Sequence, residues 1–136
     1  MHVPSITAGY LAVLALLYVA LSVQVARLRQ RHKAAFSDGG SIELRSAIRA
    51  HAHFAEYVPI TALMVAMLEM AGASPLRVHL LMAALLLARL LHPLGMYAKP
   101  NTLQFRIGRV GGMTITTALL IVCALQILSR ASMPAG

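Results

Sequence analysis

ITAGYLAVLALLYVALSVQVA, residues Ile6–Ala26, decides the fold. It is 21 residues long and contains no ionisable acid or base of the Asp, Glu, Lys, Arg or His type. At a helical rise of about 1.5 Å per residue it covers roughly 30 Å, the thickness of a bilayer's hydrocarbon core. Arg27, Arg29 and Arg31 follow the run, and Met1-His2 before it carries no Lys or Arg. Secretory signals show the reverse order and a shorter apolar core, so the run reads as a retained first span. VGGMTITTALLIVCALQILS, Val110–Ser129, is a second uninterrupted apolar run of 20 residues.

Two further segments lie between them. Tyr57–Leu68 is apolar but bounded by Glu56 and Glu69, and Leu76–Tyr97 is interrupted by Arg89 and His92. Both reach spanning length only if those groups enter the protein's interior. Asp38-Gly39-Gly40 marks a turn, with Ser41 placed to cap the second helix. Gly72-Ala73-Ser74-Pro75 marks another, with Ser74 as cap and Pro75 at the first helical position. Lys99-Pro100-Asn101 opens the third connection, and Pro59 falls inside the second helix. The expectation is an all-α membrane protein of one domain, 1–136, with four transmembrane helices at about 5–27, 43–71, 75–97 and 107–130 in an antiparallel bundle. Gly108 and Gly112 would permit close helix approach, or equally mark a fraying helix start.

Composition agrees. The chain is 59% apolar and 12% charged, too few polar side chains to cover a water-soluble fold. Its net charge of +8 raises nucleic-acid binding as an alternative. The basic residues instead follow membrane topology. Arg27, Arg29, Arg31, Lys33, Arg45 and Arg49 flank the first loop, and Lys99, Arg106 and Arg109 the third, against only Arg77 and Arg130 on the other side. The positive-inside rule then puts loops one and three in the cytoplasm and both termini outside, with no nucleic-acid partner. Cys123, the single cysteine, lies in an apolar run and reads as a buried inert thiol.

Depth brings the polar residues to one layer. Arg27 ends the first helix; Arg49, His53 and Glu56, at i, i+4 and i+7, share a face of the second; Arg89 and His92, at i and i+3, share a face of the third; Arg109 and Thr114 begin the fourth. Ionisable groups at such depth cost about 2.5–3.5 kcal/mol each at the centre of a span, so they face protein or water and take partners. One reading is a purely structural Arg49–Glu56–Arg89 network. The other is an anion site, because Glu56 alone cannot balance four arginines and guanidinium forks suit carboxylates. A zinc site of His51, His53 and His92 is disfavoured, since residues at i and i+2 diverge on a helix. Tyr10 and Tyr18 read as packing or interfacial residues, whereas Tyr57 and Tyr97 read either as residues reaching a site or as interfacial anchors.

The block Arg49-Ala50-His51-Ala52-His53-Phe54-Ala55-Glu56-Tyr57-Val58-Pro59 resembles the second-helix signature of the MAPEG family, membrane-associated proteins in eicosanoid and glutathione metabolism. Val25-Ala26-Arg27-Leu28-Arg29, Ala88-Arg89-Leu90-Leu91-His92 and Arg109-Val110-Gly111-Gly112-Met113-Thr114 agree in order, and Asp38-Gly39-Gly40 is similar to the small bacterial inner-membrane branch. The resemblance implies a homotrimer in that membrane, with glutathione bound between subunits as substrate or bound thiol. It implies Arg27, Arg49, Arg89, Glu56 and His92 as glutathione-binding positions, and Arg109 as the catalytic thiolate activator. His53 and Thr114 complete the expected binding set, and no metal is expected. The implied activity is a glutathione transferase or peroxidase, its lipophilic substrate arriving through the membrane lipids.

His53 stands where the family usually has Asn, Met96 where the eicosanoid branches have a tyrosine, and Val110 where the prostaglandin branch favours serine. Prostaglandin or leukotriene synthesis is therefore not expected. Two other functions remain open at this point: a non-enzymatic scaffold of the same fold, and a small exporter using Glu56 for proton exchange.

Overall fold

The computed structural model describes residues 3–99 and 101–132, and within them every regular element is helical. Helix α1 spans Ser5–Arg31, α2 Ile42–Met70 and α3 Pro75–Met96. The last stretch is continuous but not uniform: a short α4, Leu103–Phe105, leads into a π-helical segment, Arg106–Gly111, and then α5, Gly112–Ala131. Pro100, in the expected third connection, lies outside the described residues.

Three helical stretches, Ser5–Arg31, Pro75–Met96 and Leu103–Arg130, are long and apolar enough to cross a membrane. Helix α2 has 29 residues but does not reach that apolarity, because Glu56 and Glu69 bound its apolar core.

Periodicity explains what each helix buries. Helix α1 buries only Thr7, Leu14, Leu21 and Leu28, one residue every seven, so it meets the bundle along a narrow seam. Its Leu11, Val13, Leu16, Val19 and Val23 are exposed, as a bilayer permits. Helices α2 and α3 carry broader stripes: Phe54, Val58, Ala62, Val65 and Leu68 on one, and Val78, Leu81, Met82 and Leu85 on the other. These meet Leu14, Leu21, Leu119 and Cys123 in one core. Helix α1 packs on α2 and α3, and α5 packs on the same pair without touching α1. The α2–α3 pair is thus the centre of the bundle.

The connections are held by named groups. In the first, the Arg29 guanidinium Nη1 donates to the carbonyls of Ala34 (3.3 Å), Ala35 (3.2 Å) and Ser37 (3.0 Å). Gly39 and Gly40 take φ of +54° and +78°. Asp38 pairs with Arg45 and accepts the Gly40 N–H at 3.0 Å. The Arg45 hydrogen bond, and secondarily the Gly40 N–H, hold the Asp38 carboxyl below the usual aspartate range. Ser41 caps α2 by accepting the Leu44 N–H at 3.2 Å. Ser74 is the N-cap residue of α3, with Pro75 in its first turn, but its hydroxyl makes no capping bond.

At the other end of the bundle, Glu69 of α2 caps the start of α1. Its carboxylate accepts the N–H of Ile6 at 2.9 Å, the N–H of Thr7 at 2.9 Å and the Thr7 hydroxyl at 2.6 Å. A carboxylate at a helix N-terminus satisfies free donors and meets the positive end of the macrodipole. Glu69 therefore belongs to the packing of the bundle.

Candidate functional site

The buried stripe of α3 continues toward the basic end through Ala88, Arg89, His92 and Gly95. The same spacing that buries Leu81 and Leu85 carries Arg89 and His92 inside, and each is only 1% exposed. Arg89 takes neutral acceptors from the helices around it. Nη2 donates to the Gly112 carbonyl at 3.2 Å and the Thr116 hydroxyl at 2.5 Å, and Nη1 to the His53 carbonyl at 3.5 Å. One guanidinium so ties α2, α3 and α5 together. Among the described residues it has no carboxylate partner, and its Nε has no hydrogen bond.

The π-helical segment lies directly on α3, and glycine makes this approach possible. A Cβ on Gly95 would lie 2.0 Å from the Arg109 nitrogen, and one on Gly108 2.5 Å from the Gly95 nitrogen. Gly112 continues the seam, where a Cβ would stand 2.9 Å from the Ala88 carbonyl oxygen. Of the two readings of Gly108 and Gly112, close approach is the one the fold displays, within a single chain. A π turn adds a residue to the helical register and re-aims the side chains after it. Here it presents Arg109, whose guanidinium carbon lies 5.3 Å from the centroid of the Phe105 ring.

These elements line an open cavity of about 320 Å³ formed by His53, His92, Arg109, Val110, Met113 and Thr114, of which Arg109, Val110 and Thr114 are exposed. His53 Nδ1 and His92 Nε2 are 3.0 Å apart, their rings stacked at 5.1 Å and 28°. Of the residues expected at a site, the cavity gathers His53, His92, Arg109 and Thr114, with Arg89 buried behind them. Arg27, Arg49 and Glu56 do not line it and are exposed on the outer faces of α1 and α2. Among the described residues the ion pairs are His32–Glu43 and Asp38–Arg45, so the alternative Arg49–Glu56–Arg89 network is not formed. His51 turns the other way, stacking on Tyr18 at 4.7 Å with Nε2 3.0 Å from the Ser22 hydroxyl.

Two contacts of the layer carry no sequence signal. Thr116 as the acceptor for Arg89 needs the π register to be known. The bond from Gln24 Nε2 to the Tyr97 hydroxyl, 2.7 Å, joins residues far apart in sequence.

Chemically, the cavity offers one guanidinium, two imidazoles and a hydroxyl against an apolar wall, which suits an anion with a nucleophilic or polarisable atom. Fold and cavity together define a small helical membrane protein with an arginine- and histidine-lined pocket at the basic end of its bundle. The chain belongs to the MAPEG family, whose family model matches residues 7–129. It is 38% identical over 117 residues to the inner membrane protein YecN of Escherichia coli (strain K12), covering 86% of each chain. The same figures hold for YecN of Escherichia coli O6:H1. No solved structure gives a significant match.

Proposed function

We propose that this protein binds glutathione at the Arg109 cavity and transfers it to lipophilic electrophiles dissolved in the bilayer. The observation that carries the reading is the π turn that sets the Arg109 guanidinium on a cavity shared with His53 and His92. A free thiol has a pKa of about 8.5, and a fixed positive charge in a poorly solvated site lowers it. In this reading Arg109 holds the thiolate. The sulfur then attacks the electrophile, forming a carbon–sulfur bond as the leaving group departs with its electron pair.

Arg27, Arg49 and Glu56 support a larger assembly. Their exposed charges stand on helices whose outer faces also expose Leu16, Val19, Val23, Ile60 and Leu63. In a membrane such groups need a protein neighbour or a bound ligand. A homotrimer in which α1 and α2 of one copy face the cavity of the next would supply Arg27 and Arg49 to glutathione carboxylates and Glu56 to its amino group. Helix α2 is then the fourth span, its ionisable groups turned to the subunit interface. The excess of basic residues at the cavity end supports a cytoplasmic position for that end, with both termini outside. The likeness to YecN supports placement in a bacterial inner membrane.

Conjugation of glutathione to a generic aromatic electrophile by the detergent-solubilised protein tests the reading. Turnover is expected in the wild type, with Arg109→Ala slower by about a hundredfold, the scale of losing one preorganised charge-stabilising donor. Equal rates in both proteins, matching the uncatalysed reaction, would leave a membrane scaffold.

A further inference from the structure

Resting on that reading of the cavity, we infer that His53 and His92 form a coupled pair that takes up the thiol proton when glutathione is activated. His53 is the acceptor and His92 its positioning residue. Thiolate formation releases a proton, and Arg109 cannot take it, because a guanidinium has donors and no acceptor. Glu56 of the same chain does not line the cavity, the Glu56 that a neighbouring copy would supply is engaged by the glutathione amino group, and Met113 and Thr114 are not bases. The two imidazoles are the basic groups on its wall.

Their geometry fits the task. Across the 3.0 Å gap between His53 Nδ1 and His92 Nε2, one nitrogen must donate and the other accept. With His53 Nδ1–H donating, His53 Nε2 carries a lone pair; that atom makes no hydrogen bond among the described residues and is not a buried orphan. The step is then balanced. The S–H bond breaks, its proton forms an N–H bond at His53 Nε2, and the electron pair stays on sulfur beside Arg109. His53 now holds protons on both nitrogens, and the His92 lone pair accepts the Nδ1–H. His92 is fixed for this by burial and by Gly112, where a Cβ would lie 3.1 Å from its own Cβ.

The surrounding charges couple this step to ligand binding. Arg109 lines the same cavity, Arg49 lies one turn before His53 on α2 and Glu56 three residues after it, and the Arg89 guanidinium donates to the His53 carbonyl. An imidazolium in that company needs added negative charge. The carboxylates and thiolate of a bound glutathione supply it, so proton uptake follows anion binding.

The test uses the full chain in detergent with glutathione as the probe. Calorimetry in two buffers of different ionisation heat reads binding and proton release; ultraviolet absorbance of the bound thiolate is followed against pH. The wild type is expected to bind and form thiolate near neutral pH without releasing a proton to buffer. His53→Asn should still bind, with neutral-pH thiolate absorbance lower by about tenfold, one pH unit in the midpoint. His92→Gln should raise the same midpoint while keeping binding. His53 is only half-buried, so His53→Asn keeps the inference falsifiable if the His92 variant does not fold. Binding by His53→Asn with an unchanged thiolate midpoint would overturn the proton-acceptor role and leave the cavity reading standing. Absence of binding by the wild type would overturn both.

Discussion

Gly95 of α3 and Gly108 of the π segment meet backbone to backbone, so closely that a Cβ on Gly108 would stand 2.6 Å from the Gly95 Cα. This contact sets where Arg109 sits, because Arg109 follows Gly108 directly on the π turn. Gly95→Ala is expected to push the segment off α3. Overpacking of this kind costs about 1–3 kcal/mol, and here the blocking atoms are backbone and cannot swing aside. Thermal unfolding in detergent should show the loss, and conjugation activity should fall with it, since Arg109 moves too.

Thr116 is the shortest hydrogen-bond partner of the buried Arg89. Thr116→Val keeps the shape and removes the acceptor. The expected cost is about 1–3 kcal/mol, the range for leaving a buried polar group short of a partner. Arg89→Lys should not behave as a conservative change, because one ammonium cannot reach the His53 carbonyl, the Gly112 carbonyl and the Thr116 hydroxyl as a guanidinium fork does. Unfolding midpoints of the two variants, compared with wild type, check both expectations.

Glu69→Ala strips the start of α1 of its cap. Three donors lose their acceptor at once, and about 2–3 kcal/mol of stability should go with them. Amide exchange should quicken over the first turn of α1 and stay unchanged over the first loop, at the opposite end of the bundle. Uniform exchange along α1 would contradict the capping role.

The Asp38–Arg45 latch makes the first loop sensitive to acid. The folded Asp38 carboxyl is held below its ordinary range, so its contribution is fully present above the unfolded value and lost as pH falls through the lower folded value. Trypsin cleavage after Arg31 and Lys33 should be faster in Asp38→Asn than in wild type at neutral pH. Amide exchange across residues 32–41 should rise in the wild type only under distinctly acidic conditions.

Much of the bundle could be read from local pattern. Ile6–Ala26 had only one environment to suit it, and Ser41 and Pro75 stand where the second and third helices begin. Arg89 and His92 share the period of the α3 core, which is why their burial follows from spacing. The π segment was not legible, because Arg106–Gly111 has no composition that separates a π turn from an α turn; its cause is the fit of Gly108 against Gly95, a contact between separate elements. Glu69 showed only as a break in apolarity, since its partners are the backbone donors of a helix more than sixty residues away. Arg49, His53 and Glu56 were placed on one face by their spacing, yet His53 sits at the edge of that face and turns toward α3, whereas the other two stay outside. A helical wheel fixes angles and leaves the neighbour's position undetermined.

Calorimetric titration of glutathione into the detergent-solubilised protein tests the central claim most directly. Measurable heat and a raised unfolding temperature at millimolar ligand are expected in the wild type, both reduced in Arg109→Ala. No heat and no shift in the wild type at that concentration would contradict an anion site at the Arg109 cavity.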